Sequence, residues 1–109
     1  MTVYVTQASS KHNLAKALRF GTLVPLTPEH TNLMLASQPV VRHLRQQLRG
    51  FTDLDHLLPL GSPAVIGAAI ALAAQANHGR VKVLQWDRGI NDYYEVSLDL
   101  LDRVRELEP

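Results

Sequence analysis

Residues 55–86, DHLLPLGSPAVIGAAIALAAQANHGRVKVLQW, decide the fold. Asp55 to Leu60 is short and apolar and breaks at Gly61-Ser62-Pro63, where Ser62 suits a helix N-cap and Pro63 the first helical position. The helix runs through the apolar stretch Ala64–Ala74 to Ala76. Asn77-His78-Gly79 closes it, because Gly79 accepts the left-handed C-terminal conformation without a Cβ clash. Arg80-Val81-Lys82-Val83-Leu84-Gln85-Trp86 then alternates as a strand does. Strand, helix and strand in this order predict a parallel pair with a crossover helix. At eleven residues, Ala64–Ala74 falls short of the roughly 18 apolar residues of a membrane span. It reads as a buried helix.

Working outward, Tyr93-Glu95-Ser97-Asp99 alternates with Tyr94-Val96-Leu98-Leu100, and a Gly89-Ile90-Asn91-Asp92 turn joins this run to the preceding strand as a hairpin. Leu101, Val104 and Leu107 predict a C-terminal helical extension over residues 101–109. Upstream, Val3-Tyr4-Val5 reads as a first strand ending near Thr6. Leu14, Ala17 and Leu18 with Phe20 read as a short helix, which Ser10 can cap and Gly21 stops. Thr22-Leu23-Val24-Pro25-Leu26 reads as extended, and Pro25, having no N–H for a ladder, places it at a sheet edge. Thr27 to Gln38 gives no clear period. From Pro39, the stripe Val41, Leu44 and Leu48 predicts a second helix that ends before Gly50.

Alternating strands and helices favour a mainly parallel sheet covered by helices. The fold expected is α/β: a small Rossmann-like three-layer domain over residues 1–109, with about five strands and an antiparallel last strand. A flavodoxin-like order 2-1-3-4, with the fifth strand outside, reverses direction between strands one and three. The loops after those strands then line one crevice.

The chain has 109 residues and no cysteine, which excludes disulfides, thiol catalysis and thiolate metal sites. A net charge of +1 hides an asymmetry: residues 1–50 carry six Lys/Arg against one acid, and residues 51–109 carry five against nine. The surface is polarised within one domain, since fifty residues make a poor independent core. Met1-Thr2-Val3-Tyr4-Val5 lacks the features of a signal peptide, so a cytoplasmic protein is expected, with no membrane segment. A domain this small gains from self-association, and a homo-oligomer is expected.

Three segments carry candidate chemistry. Gly61-Ser62-Pro63 opens a helix, and the free N–H groups and positive dipole end there suit a phosphate. It lacks the Lys and Ser/Thr of a nucleotide P-loop, so triphosphate hydrolysis is not indicated. Its plainer reading is a strand end and a helix cap. Thr6, Gln7, Ser9, Ser10, Lys11, His12 and Asn13 bring seven hydrogen-bonding side chains into eight positions after the first strand. Lys11 suits a phosphate, and Gln7 or Asn13 a base or ribose hydroxyl. A solvated loop is the plain alternative. In Gln85-Trp86-Asp87-Arg88, Trp86 suits stacking on a base, Asp87 ribose hydroxyls and Arg88 a phosphate, against a plain core tryptophan followed by turn charges.

Elsewhere, Arg42, Arg45 and Arg49 recur at i, i+3 and i+7 and present one cationic helix face, which suits nucleic acid or a solvated surface. His12, His30, His43, His56 and His78 lie apart without metal-ligand spacing, so no metal is expected, and no cofactor. No GxSxG elbow appears, so a serine hydrolase is disfavoured.

Tyr4-Val5-Thr6-Gln7, LAKALRFGTLVPL (residues 14–26), Leu60-Gly61-Ser62-Pro63 and Val83-Leu84-Gln85-Trp86-Asp87-Arg88 together resemble small uncharacterised bacteriophage proteins. The chain is also similar to phage anti-Thoeris sponge proteins, which sequester cyclic ADP-ribose signals of bacterial immunity without cutting them. The resemblance implies a nucleotide-derived ligand, an oligomer and residence in the host cytoplasm, and it assigns no residues. The expectation is a non-enzymatic phage or prophage protein holding an anionic, nucleotide-like ligand. Gln7, Lys11, His12, Asn13, Gly61, Ser62, Trp86, Asp87 and Arg88 would contact it, with no catalytic residue. The alternatives are a phosphodiesterase or nuclease acting on such a ligand with His12 as acid or base, and a ligand-free oligomeric interaction module.

Overall fold

The computed structural model describes residues 1–30 and 37–101. The helical extension expected over residues 101–109 therefore lies outside the described residues, apart from Leu101.

The elements run β1 (Thr2–Val5), a 3-10 helix (Ala15–Phe20), β2 (Thr22–Pro25), α1 (Ser37–Leu48), β3 (His56–Leu58), α2 (Pro63–Ala76), β4 (Arg80–Asp87) and β5 (Asp92–Asp99). They form one five-stranded sheet in the order β2-β1-β3-β4-β5. β1 pairs parallel with β2 and β3, β3 pairs parallel with β4, and β5 closes the edge antiparallel to β4. The antiparallel last strand agrees with expectation, and the strand order is the flavodoxin-like one on which the crevice depends. Pro25 sits on the edge strand, where its missing N–H leaves no gap in an internal ladder.

Alternation along the strands divides the core in two. On one face Leu57, Val81 and Val83 pack with Leu44 and Leu48 of α1 and Val65, Ala69, Leu72 and Ala73 of α2. On the other, Val3, Val5, Leu58, Leu84 and Tyr93 gather around Ala17, with Leu14 and Phe20 at the margin. Among the described residues, two α-helices cover the first face, and one six-residue 3-10 helix packs on the second.

That short helix departs from the expected one for a steric reason. A 3-10 turn brings i and i+3 onto one line, and the residues it turns inward are Leu14, Ala17 and Phe20. Leu18, included in the expected apolar stripe, is 57% exposed. Ser10 does not cap the helix. Leu14 holds the N-cap position with no side-chain bond, and the Ser10 hydroxyl instead donates to Glu29 Oε1 at 2.8 Å. The stop is as expected: Gly21 N–H donates to the Leu18 carbonyl at φ +150°, and a Cβ there would lie 2.6 Å from the Met1 carbonyl oxygen.

At the end of α2, Gly79 takes φ +84° and its N–H donates to the Ala74 carbonyl. Gly67, within α2, faces open space, since a Cβ there would meet nothing within 4 Å. No helix among the described residues is long and apolar enough to cross a membrane.

Candidate functional site

The sheet is ragged at one end, and the site follows from that. β3 stops at Leu58 because Pro59 has no N–H to continue a ladder, and Leu57↔Val83 is the register pair between β3 and β4. The β4–β5 hairpin continues past it to the pair Asp87↔Asp92. The 3-10 helix is strapped to this overhang. Arg19 donates from Nη1 to both carboxylate oxygens of Asp92, at 2.6 and 2.7 Å, and from Nη2 to the Tyr93 carbonyl at 2.9 Å. Lys16 Nζ donates to the carbonyl of Asn91.

Between helix, loop and hairpin lies a cleft of about 890 Å³, toward the upper end of the usual range for small-ligand sites. Lys11, His12, Asn13 and Lys16 line it from the side of β1. Leu58, Pro59 and Leu60 line it from the end of β3, and Leu84, Gln85, Trp86, Arg88, Asn91, Tyr93 and Tyr94 from the hairpin. The cleft thus brings together the loops that follow β1 and β3, as the reversal of strand order between them requires.

Its chemistry is one-sided. Lys11, Lys16 and Arg88 are cationic, and among the described residues no Asp or Glu lines the cleft. Nearby carboxylates are spent elsewhere. Asp92 is held by Arg19, whose hydrogen bond keeps its carboxyl below the ordinary carboxylate range. Asp87 Oδ1 accepts from Gly89 N–H at 2.7 Å, inside its own turn.

Trp86 is 43% exposed. Tyr93, its cross-strand partner, meets it at 75° with ring centroids 5.0 Å apart, and Lys16 Nζ stands 5.8 Å over the indole. Burial raises the Tyr93 phenol above its ordinary value, which keeps it neutral. Tyr94 OH donates to Gln85 Oε1 at 3.0 Å. His12 Nδ1 lies 2.7 Å from Ser9 Oγ, which fixes the ring at the cleft rim. An exposed aromatic surface in a cleft that three cations also line suits a flat ring carrying negative charge.

The expected site residues divide into two groups. Lys11, His12, Asn13, Trp86 and Arg88 line the cleft; Gln7, Gly61, Ser62 and Asp87 do not. Gln7 is buried and its amide is used at both ends, with Nε2 donating to the Glu29 carbonyl and Oε1 accepting from Ser62 N–H at 2.9 Å. Beside it Thr6 Oγ1 donates to the Leu60 carbonyl at 2.6 Å and accepts from Leu60 N–H at 2.7 Å. Gly61 adopts φ +89°, and a Cβ there would lie 2.0 Å from Gln7 Oε1. Ser62 holds the N-cap position of α2 without a side-chain cap bond, and Pro63 follows it in the first turn. This seam ties three loops together; two of its residues, Gln7 and Ser62, use their polar groups on each other.

The model of the Phage Pam3 gp32-like protein family matches residues 1–100. The chain belongs to that family. No curated protein and no solved structure matches it.

Sequence reasoning missed Lys16, Asn91, Tyr93 and Tyr94 in this family member, and placed Gln85 in a candidate segment without giving it a role. Tyr93 and Tyr94 had a signal: once the turn is set, hairpin symmetry places Tyr93 opposite Trp86 and Tyr94 opposite Gln85. Lys16 had none, because its approach to Trp86 depends on the tertiary position of the 3-10 helix. Arg42, Arg45 and Arg49 are all exposed and lie outside the cleft lining, on α1 and just past its end. Among the described residues no three His, Asp or Glu side chains converge to hold a metal ion.

Proposed function

We propose that this phage-family protein binds and sequesters an anionic, nucleotide-like small molecule in the cleft, with the base on Trp86 and phosphate among Lys11, Lys16 and Arg88. The class of ligand is a cyclic nucleotide or cyclic ADP-ribose type signal, and holding it would counter host immune signalling in the host cytoplasm. The observation that carries this reading is the exposed indole in a cleft that Lys11, Lys16 and Arg88 also line, with no carboxylate in the lining among the described residues. The Rossmann-like sense of the sheet supports it, since ligands of open α/β sheets sit outside the strand ends where the order reverses. Self-association is part of the proposal, and the small residues Ala64, Gly67 and Ala71 exposed on α2 favour it.

A second reading, cleavage of the same ligand, is favoured by the Ser9–His12 contact, which engages one ring nitrogen and leaves the other for proton transfer. Native mass spectrometry with cyclic oligonucleotides and cyclic ADP-ribose isomers separates the two. Sequestration predicts an intact, saturating adduct of an oligomer that is lost in Lys11→Ala. Linear product would favour cleavage, and no adduct from any compound would refute both.

A further inference from the structure

Lys16 is placed in a way the other two cations of the cleft are not. Lys11 and Arg88 line the same cleft as Trp86, whereas the Lys16 ammonium lies over the indole itself, 5.8 Å from the ring centroid, and donates to the Asn91 carbonyl. We propose that Lys16 makes the cleft select phosphorylated rings over neutral ones, so that its ligand class is a nucleoside phosphate and not a nucleoside or other uncharged aromatic. The proposal rests on the reading of the cleft given above.

A flat ring that stacks on the covered face of Trp86 must move the ammonium aside. That loses a cation–π attraction and a hydrogen bond from a charged donor. A neutral nucleoside offers the displaced ammonium nothing in exchange. A phosphate on the same ribose offers an anionic acceptor, with which a charged hydrogen bond is stronger than with a backbone carbonyl. The displacement is local, because Arg19 holds the 3-10 helix to the hairpin through Asp92 and the Tyr93 carbonyl independently of Lys16.

The test uses adenosine and adenosine 5′-monophosphate as probes and the emission of Trp86, the sole tryptophan, as the readout. Wild-type protein should bind the monophosphate at least about tenfold more tightly than adenosine, the scale of one charged hydrogen bond. In Lys16→Ala the monophosphate should weaken by about tenfold. Adenosine should tighten by about two- to fivefold, because the indole face is uncovered. Lys16→Gln keeps an amide donor for the Asn91 carbonyl and removes the charge, so the same collapse of selectivity is expected with the helix still tethered.

Equal weakening of both probes would make Lys16 an ordinary contact and overturn the proposal. So would selectivity unchanged in both variants. Emission that answers to neither probe in wild-type protein would overturn the nucleotide reading of the cleft along with it, whereas binding with unchanged selectivity overturns the role of Lys16 alone.

Discussion

The two faces of the sheet come from the same alternating strands but are closed to different depths. On one, α1 and α2 lay Leu44, Leu48, Val65, Ala69 and Leu72 over Leu57, Val81 and Val83. On the other, the 3-10 helix brings Ala17 and the margins Leu14 and Phe20, and polar groups enter the layer. His56 is buried there, with Nε2 2.6 Å from Glu95 Oε1, Phe20 at 5.3 Å and no partner for Nδ1 among the described residues. The first face has the aliphatic packing that holds a small domain together. The second leaves Trp86 and its cations accessible. On the proposed reading stability and binding fall to opposite sides of one sheet, and substitutions on the two sides should behave differently.

The largest effect is expected on the closed face. Leu44→Ala should cost about 2–5 kcal/mol, because the fully buried side chain leaves a cavity that helix–helix packing fills poorly. Chemical denaturation measures it, and a loss below about 1 kcal/mol would mean that this face relaxes freely.

A smaller loss is expected at the seam above the sheet. Gly61→Ala combines a left-handed backbone with a Cβ directed at Gln7 Oε1, and should cost about 1–3 kcal/mol. The same melt should show whether the Thr6–Gln7–Leu60–Ser62 bonds act as a structural tie. Ligand affinity per folded molecule should be little changed, since Gly61 does not line the cleft. A stable Gly61→Ala protein that has lost binding would return Gly61 to the ligand site.

The smallest effect is a shift of acid stability on the open face. Asp92 and Glu95 both titrate below their ordinary values of 3.8 and 4.5, Asp92 first through the Arg19 hydrogen bond and Glu95 first through that of His56. A lowered carboxyl stabilises the fold fully above its ordinary value and loses that contribution as pH falls through the lower, folded value. Asp92→Asn and Glu95→Gln should therefore narrow the stability difference between neutral pH and the acid range below those ordinary values. A pH–stability curve unchanged in both variants would deny the two contacts any part in holding the open face.

Most of the fold was legible because it was written in local signals. Gly61-Ser62-Pro63 and Gly79 bracket α2, Pro25 marks the edge, and strict alternation in 80–86 and 93–100 gives the hairpin. The 3-10 helix was misread because Leu14, Ala17 and Leu18 fit an α-helical period, while the set actually turned inward, Leu14, Ala17 and Phe20, repeats every three residues. The site was half legible for a related reason. Lys11, Trp86 and Arg88 announce their chemistry by residue type. Sequence does not show whether a polar side chain is already engaged, and Gln7 and Asp87 are engaged within the chain. Lys16 reaches Trp86 across seventy positions, a proximity that no local pattern encodes.

The central claim is that the open face holds an anionic ring against Trp86, and titration of Trp86 emission with cyclic ADP-ribose isomers and cyclic dinucleotides tests it most directly. The account predicts a saturable change for at least one compound, weakened by added salt because phosphate meets cations, and lost in Lys11→Ala while the fold persists. A flat response to every compound in a folded wild-type protein, or equal affinity in folded Lys11→Ala, would contradict it.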